Sequence, residues 1–109
     1  MADTYKVLGQ SFPAGAVLTT CYAVPASTTA IISTLVVCNQ STIAATFRAS
    51  VAVAAAADTL SQYIARDAPI GANEVIPLTI GITLAPTDAL RVYASTTALS
   101  FNAFGVEKT

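Results

Sequence analysis

Histidine and tryptophan do not occur among the 109 residues, methionine occurs once, and charge is confined to five Lys or Arg and six Asp or Glu side chains. Without histidine, the commonest general base and the commonest zinc ligand are both missing. Two cysteines by themselves do not complete a four-ligand structural zinc site. The net charge is −1, and Arg48, Arg66 and Arg91 are scattered singly along the chain. Phosphate backbones require clustered positive charge, so no nucleic-acid partner is expected. The longest apolar candidate for a membrane helix, IAATFRASVAVAAAA, is interrupted by Thr46, Arg48 and Ser50. It also falls short of the roughly 20 residues such a helix needs, so no membrane partner is expected. The opening MADTYK has neither a basic n-region nor an apolar h-region, so a secretory signal is not expected. Cys21 and Cys38 are then expected as reduced, buried small hydrophobes rather than as a disulfide.

What is present in excess is apolar surface. Hydrophobic residues make up 54% of the chain and charged residues 10%, where about a quarter is usual for the charged class. A folded monomer of this mass exposes roughly 5,700 Å², which leaves about one charge per 500 Å². A core of this size does not hide so many apolar side chains, and the surplus is expected to form a contact face.

Nearly every segment reads as strand. VLTTCYAV (17–24) and TTAIISTLVVC (28–38) are rich in β-branched and aromatic residues. Pro25 to Ser27 and the NQST of 39–42 supply turns between them and beyond. TFRASVAV (46–53) alternates, with Phe47, Ala49, Val51 and Val53 on one face, and is expected to form a hairpin with the preceding strand. AAAAD (54–58) is too short to nucleate a helix and reads as a loop or a single turn. LSQYIA (60–65) reads as a strand with Leu60 and Ile64 on one face, and RDAPIGAN (66–73) as a long turn. Ile76 to Leu84 keep period two, with Pro77 suggesting an edge or bulge and Gly81 a kink. APTD turns the chain into ALRVYAS (89–95), and Thr96–Thr97 turn it into ALSFNAFGVE (98–107). About eight strands at ten-residue intervals, with no helix, predict one antiparallel β-sandwich or jelly roll.

In AIISTLVVC both faces are apolar: Ile31, Leu35 and Val37 on one, Ile32, Val36 and Cys38 on the other. Such a strand lies at a subunit interface or under a roofing loop, and the scarcity of charge favours the interface. No catalytic, cofactor or metal site is expected. Cys38 has no neighbouring cation to activate it and is expected to pack at a strand end. Asp58, Asp67, Glu74 and Asp88 fall in turns or at strand starts, where carboxylates accept backbone N–H bonds, and Asp88 in PTDALRV is the clearest case. Calcium at Asp67 and Glu74 has no D-x-D-x-D spacing behind it. Asn39 and Gln40, with Tyr63 and Tyr93, are the expected exposed-loop contacts. The two tyrosines also offer a sugar-stacking platform, although tyrosines spread singly are more often core-edge or interface residues.

YKVLGQS (5–11), VCN (37–39), TFR (46–48), RVYAS (91–95) and LSFNAFG (99–105) together give the chain a familiar outline. It resembles a family of small tailed-bacteriophage virion proteins, frequent in cyanophages and marine phages. Ala103 departs from the larger apolar residue usual there. The resemblance covers almost the whole chain, and its motifs are strand patterns rather than catalytic signatures. It implies a non-enzymatic part of a virus particle: a capsid decoration (cement) protein, often a trimer, or a piece of tail, collar or fibre. The implied partners are further copies of the chain and the major capsid protein or other virion proteins. The implied location is the virion. Residues 1–11 are then expected to act as an arm that adds a strand to a neighbour, through Tyr5, Val7 and Leu8.

Overall fold

The computed structural model describes residues 2–109, which form nine strands and two short 3-10 turns. The strands are β1 (Asp3–Ser11), β2 (Thr19–Ala23), β3 (Thr29–Asn39), β4 (Ala45–Ala52) and β5 (Tyr63–Ile70). They continue with β6 (Val75–Leu78), β7 (Ile82–Leu84), β8 (Ala89–Ala94) and β9 (Leu99–Lys108). One sheet has the order β1-β9-β3-β6, with β7 also on β3, and the other has the order β2-β8-β4-β5. All pairings are antiparallel. If β6 and β7 are taken as one interrupted strand, eight strands fill two four-position sheets in the crossing order of a jelly roll. The expected count of about eight becomes nine because Gly81, at φ +64°, breaks the 76–84 run and leaves Ile80 exposed. Pro77 sits on β6, at the sheet edge, where its missing N–H costs no ladder bond.

The inner faces of the two sheets supply the core. Phe47 and Phe101 meet edge-to-face with centroids 6.3 Å apart, and Ile32, Leu35, Val37, Leu90, Val92 and Leu99 close around them. Ala103 is fully buried, paired with Leu35 in the neighbouring strand, so the smaller side chain there faces the core. The total exposed area is 5409 Å².

Several local expectations give way to tertiary structure. β3 and β4 form no hairpin, because they lie in different sheets and face each other across the core. Alternation shows which side of a strand is apolar, but it does not distinguish side-by-side pairing from face-to-face packing. On β3 the pairing with β9 slips between Ile32 and Thr34 and leaves Ser33 as a bulge. Ile32 therefore joins Leu35 and Val37 in the core, while Ile31 turns outward with Val36 and Cys38. Leu60–Gln62 is a 3-10 turn rather than a strand, and Leu60 points to solvent. The segment expected as a turn at 66–73 is instead strand as far as Ile70. A bulge at Arg66–Asp67, with Asp67 at φ +53°, lets β5 keep its pairing despite Pro69. Val53 leaves the β4 pattern for a 3-10 turn and is exposed. Residues 3–11 are an edge strand of the chain's own sheet, hydrogen-bonded to β9, rather than a detached arm.

Candidate functional site

The outer face of the five-stranded sheet gathers the surplus apolar residues. Directly opposed residues on paired strands share a face, so the pairing defines its rows. One row runs Tyr5, Val106, Ile31, Thr83, and the next runs Val7, Phe104, Thr34. Gln10, Asn102, Val36 and Pro77 form a third, and Ser100, Cys38 and Val75 a fourth. No charged side chain interrupts these four rows; Asp3 and Lys108 oppose each other beyond their end. Tyr5 is 81% exposed, Val75 55%, Val7 47% and Phe104 38%. A shallow groove of about 300 Å³ lies between Tyr5, Ile31, Phe104 and Val106, with Lys6 and Ser33 also in its lining. Phe12, half exposed beside Gln10, Gln40 and Asn102, extends the rim with an amide-lined groove.

Of the residues expected at an interface, the structure brings Tyr5, Val7 and Ile31 together on this face. It places Leu8, Leu35 and Val37 in the core. Leu8 occupies the bulge of β1 and turns inward. Val36, expected on the opposite side of β3 from Ile31, shares this face with it, and Val75, Phe104 and Val106 belong to the face without having been singled out in the sequence. The signal for Val106 and Phe104 was the alternation of the last strand, which does not say which apolar side faces out.

The opposite face of the molecule has a different character. All three arginines, scattered in sequence, project from the four-stranded sheet or its edge. Arg48 stands over the Tyr93 ring at 4.3 Å, and Arg66 over the Tyr63 ring at 5.0 Å. Arg48 also forms a forked pair with Asp67 at 2.7 and 3.3 Å, which holds that carboxyl below the usual carboxylate range. Arg91 donates to the carbonyls of Ala56 (2.7 Å) and Ala55 (3.1 Å), drawing the Ala-rich loop toward this sheet. Tyr63 donates to Asp58 at 3.1 Å. Each guanidinium thus covers one face of its tyrosine ring.

Asn39 is buried, with 1% of its area exposed, and not a loop contact. Its Nδ2 donates to the carbonyls of Ile43 (2.9 Å) and Gly71 (3.1 Å). Its Oδ1 accepts from the Ser41 backbone N–H and hydroxyl, both at 3.0 Å. One side chain thus ties the β3–β4 crossing to the β5–β6 turn, while Gln40 beside it stays exposed. Asp88 accepts from Ala54 N–H and Ala85 N–H, each at 2.9 Å, so it joins two loops as well as capping its own turn. Glu74 accepts from Gly71 N–H within a tight turn.

None of these groups assembles into a chemical centre. Among the described residues no three of Cys, Asp and Glu come together to hold a metal ion. Cys21 and Cys38 are free and lie on different sheets. Burial pushes the Cys21 thiol up to about 11, and Cys38 is half-buried on the uncharged face rather than fully buried. Ser50 Oγ is buried without a partner but has no base beside it to make it a nucleophile.

A polar strut closes the sandwich at the β1 edge. Glu107 accepts from the Tyr22 hydroxyl and from Lys6 Nζ at 2.9 Å. Tyr22, then Lys6, hold the Glu107 carboxyl below the usual range. Burial, reinforced by Glu107, pushes the Tyr22 phenol up. A carboxylate with a depressed folded pKa contributes stability above its unfolded value of about 4.3 and loses it as pH falls further. The urea midpoint of the protein is therefore expected to exceed that of Glu107→Gln at pH 7, with the gap narrowing as pH falls below about 4.3. A gap that does not change as pH falls through the acid range would show that Glu107 carries no such linkage.

No protein-family model, curated protein or solved structure matches this chain.

Proposed function

We propose that the chain is a non-enzymatic structural protein of a tailed-phage virion, a decoration (cement) protein that binds by shape and apolar contact. The observation that carries this reading is the uncharged, largely apolar outer face of the five-stranded sheet, in a molecule whose polar groups are spent on joining its own loops. Monomers rarely leave such a face open to water unless it is an interaction surface. The resemblance in its strand motifs points the same way. The jelly roll adds a fold-level analogy only, since viral capsid and lectin domains both use it. On a particle, many weak copies of one contact add avidity across a lattice. They would clamp neighbouring capsid subunits against the pressure of the packaged DNA.

A tail, collar or fibre position is the second reading. It draws on the Asn39-anchored loop, which carries an exposed Ile43. Quantitative mass spectrometry of purified particles separates the two. A ratio to the major capsid protein near one to one is expected for a decoration protein, and a few copies per hundred would move it to the tail. Its absence from purified particles would overturn the virion reading altogether.

A further inference from the structure

We infer that the uncharged face is covered by a second copy of this chain, the two five-stranded sheets stacking face to face about a two-fold axis. This rests on the reading of that face as a contact surface and names its occupant.

Sheet extension is the competing way for two β-proteins to join, and every edge resists it. β1 carries Lys6 on its inward side and a bulge at Leu8. β6 has Pro77, β7 is three residues long, and β2 is five. β5 has Pro69 and the Asp67 bulge. Inward charges, prolines, bulges and short strands are the devices that keep edges from pairing. Association is thereby directed to a face.

The size of that face fits a stable pair. Three strand positions of about ten residues, and a fourth made of the shorter β6 and β7, about 4.8 Å apart give roughly 600 Å² in projection. Side-chain relief raises the accessible area toward the roughly 800 Å² per partner of a standard interface. Stacked sheets pack about 10 Å apart with side chains interdigitating, and projecting Tyr5 and Phe104 beside the groove between them provide ridge and furrow.

Charge decides which copy surface fits. Against itself the face strands no unpaired ion, because Asp3 and Lys108 lie at its end and Lys6, which lines the groove, is already paired with Glu107. Against the arginine-bearing face of another copy it would strip water from Arg48, Arg66 and Asp67 without offering an opposite charge in return. Front-to-back contact has a second defect. The two faces look in opposite directions, so that contact repeats into an open stack, whereas a face meeting itself closes at two copies. The expected arrangement is thus a two-fold pair, not the threefold ring that the resemblance implies.

Cys38 lies within the face and is half-buried in the single chain, while Cys21 is silent in the core. It is a built-in reporter. Sedimentation velocity of the purified full chain from about 1 to 100 μM should show conversion from the 11.1 kDa species to one of twice that mass. Alkylation of Cys38 should slow over the same range. Tyr5→Lys, at a highly exposed position, and Phe104→Lys should each stay monomeric and label at one rate throughout. Thermal melting of Tyr5→Lys guards against a folding artefact. A chain that is monomeric at 100 μM, forms a trimer, or dimerises unchanged in both variants would overturn the inference. Because the virion reading is tested on particles, a monomer that is still found in them would sink the pair alone. A pair in solution with no copies in particles would sink the virion role alone.

Discussion

Replacing Asn39 by alanine is expected to cost about 2–4 kcal/mol of stability, a large share of the 5–15 kcal/mol typical of a small domain. The side chain makes four hydrogen bonds and is almost fully buried. Its removal leaves the Ile43 and Gly71 carbonyls facing a gap rather than a donor. Neither partner is on the same strand as Asn39, so the loss loosens the β3–β4 crossing and the β5–β6 turn together. Asn39→Asp is a sharper test, since it keeps the acceptor for Ser41 but sets a carboxylate against two carbonyl oxygens. It is expected to be at least as damaging as alanine at pH 7 and to recover partly in acid, where the added carboxyl is protonated and donates again. Urea denaturation at pH 7 and pH 4 measures both. A cost below about 1 kcal/mol for either variant would mean that the loop junction is held by something other than this side chain.

Gly105→Ala should be comparably severe. Gly105 pairs with Ile32, at the point where β3 bulges. A Cβ there would run into the Ile31 carbonyl and the Ile32 backbone. These are main-chain atoms of a central strand and have no rotamer to swing away, so β9 must move off β3. Overpacking of this kind costs about 1–3 kcal/mol when side chains can yield, and the backbone contact places Gly105 at or beyond the upper end. Gly81→Ala is the control. Gly81 sits at φ +64° with open space where its Cβ would be, so only the local left-handed penalty of about 1–2 kcal/mol applies. Equal effects at the two positions would show that the close β3–β9 approach is not what requires glycine at 105. Since the Ser33 bulge turns Ile31 outward, Gly105→Ala should also disturb the uncharged face.

Much of this architecture is legible along the chain. The spacing of turns between β-branched segments predicts an antiparallel two-sheet fold, Pro77 marks an edge, Gly81 marks a break, and Asp88 announces a capped turn. The shortage of charge announces an exposed apolar surface without saying where it is. The errors share a cause. Ile31 and Ile32 exchange sides because one bulged residue reverses the phase of everything after it. Asn39 looks like an exposed turn residue because its partners, Ile43 and Gly71, include one 32 positions away. The arginines look scattered because only strand pairing brings 48, 66 and 91 to one side of the molecule.

By itself, the sequence determined the class of the fold and the excess of apolar surface, since these follow from composition and local periodicity. The tertiary structure alone decided which apolar face is core and which is left to water. That choice depends on bulges, on which strands share a sheet, and on contacts between residues far apart in the chain, where a period of two carries no information.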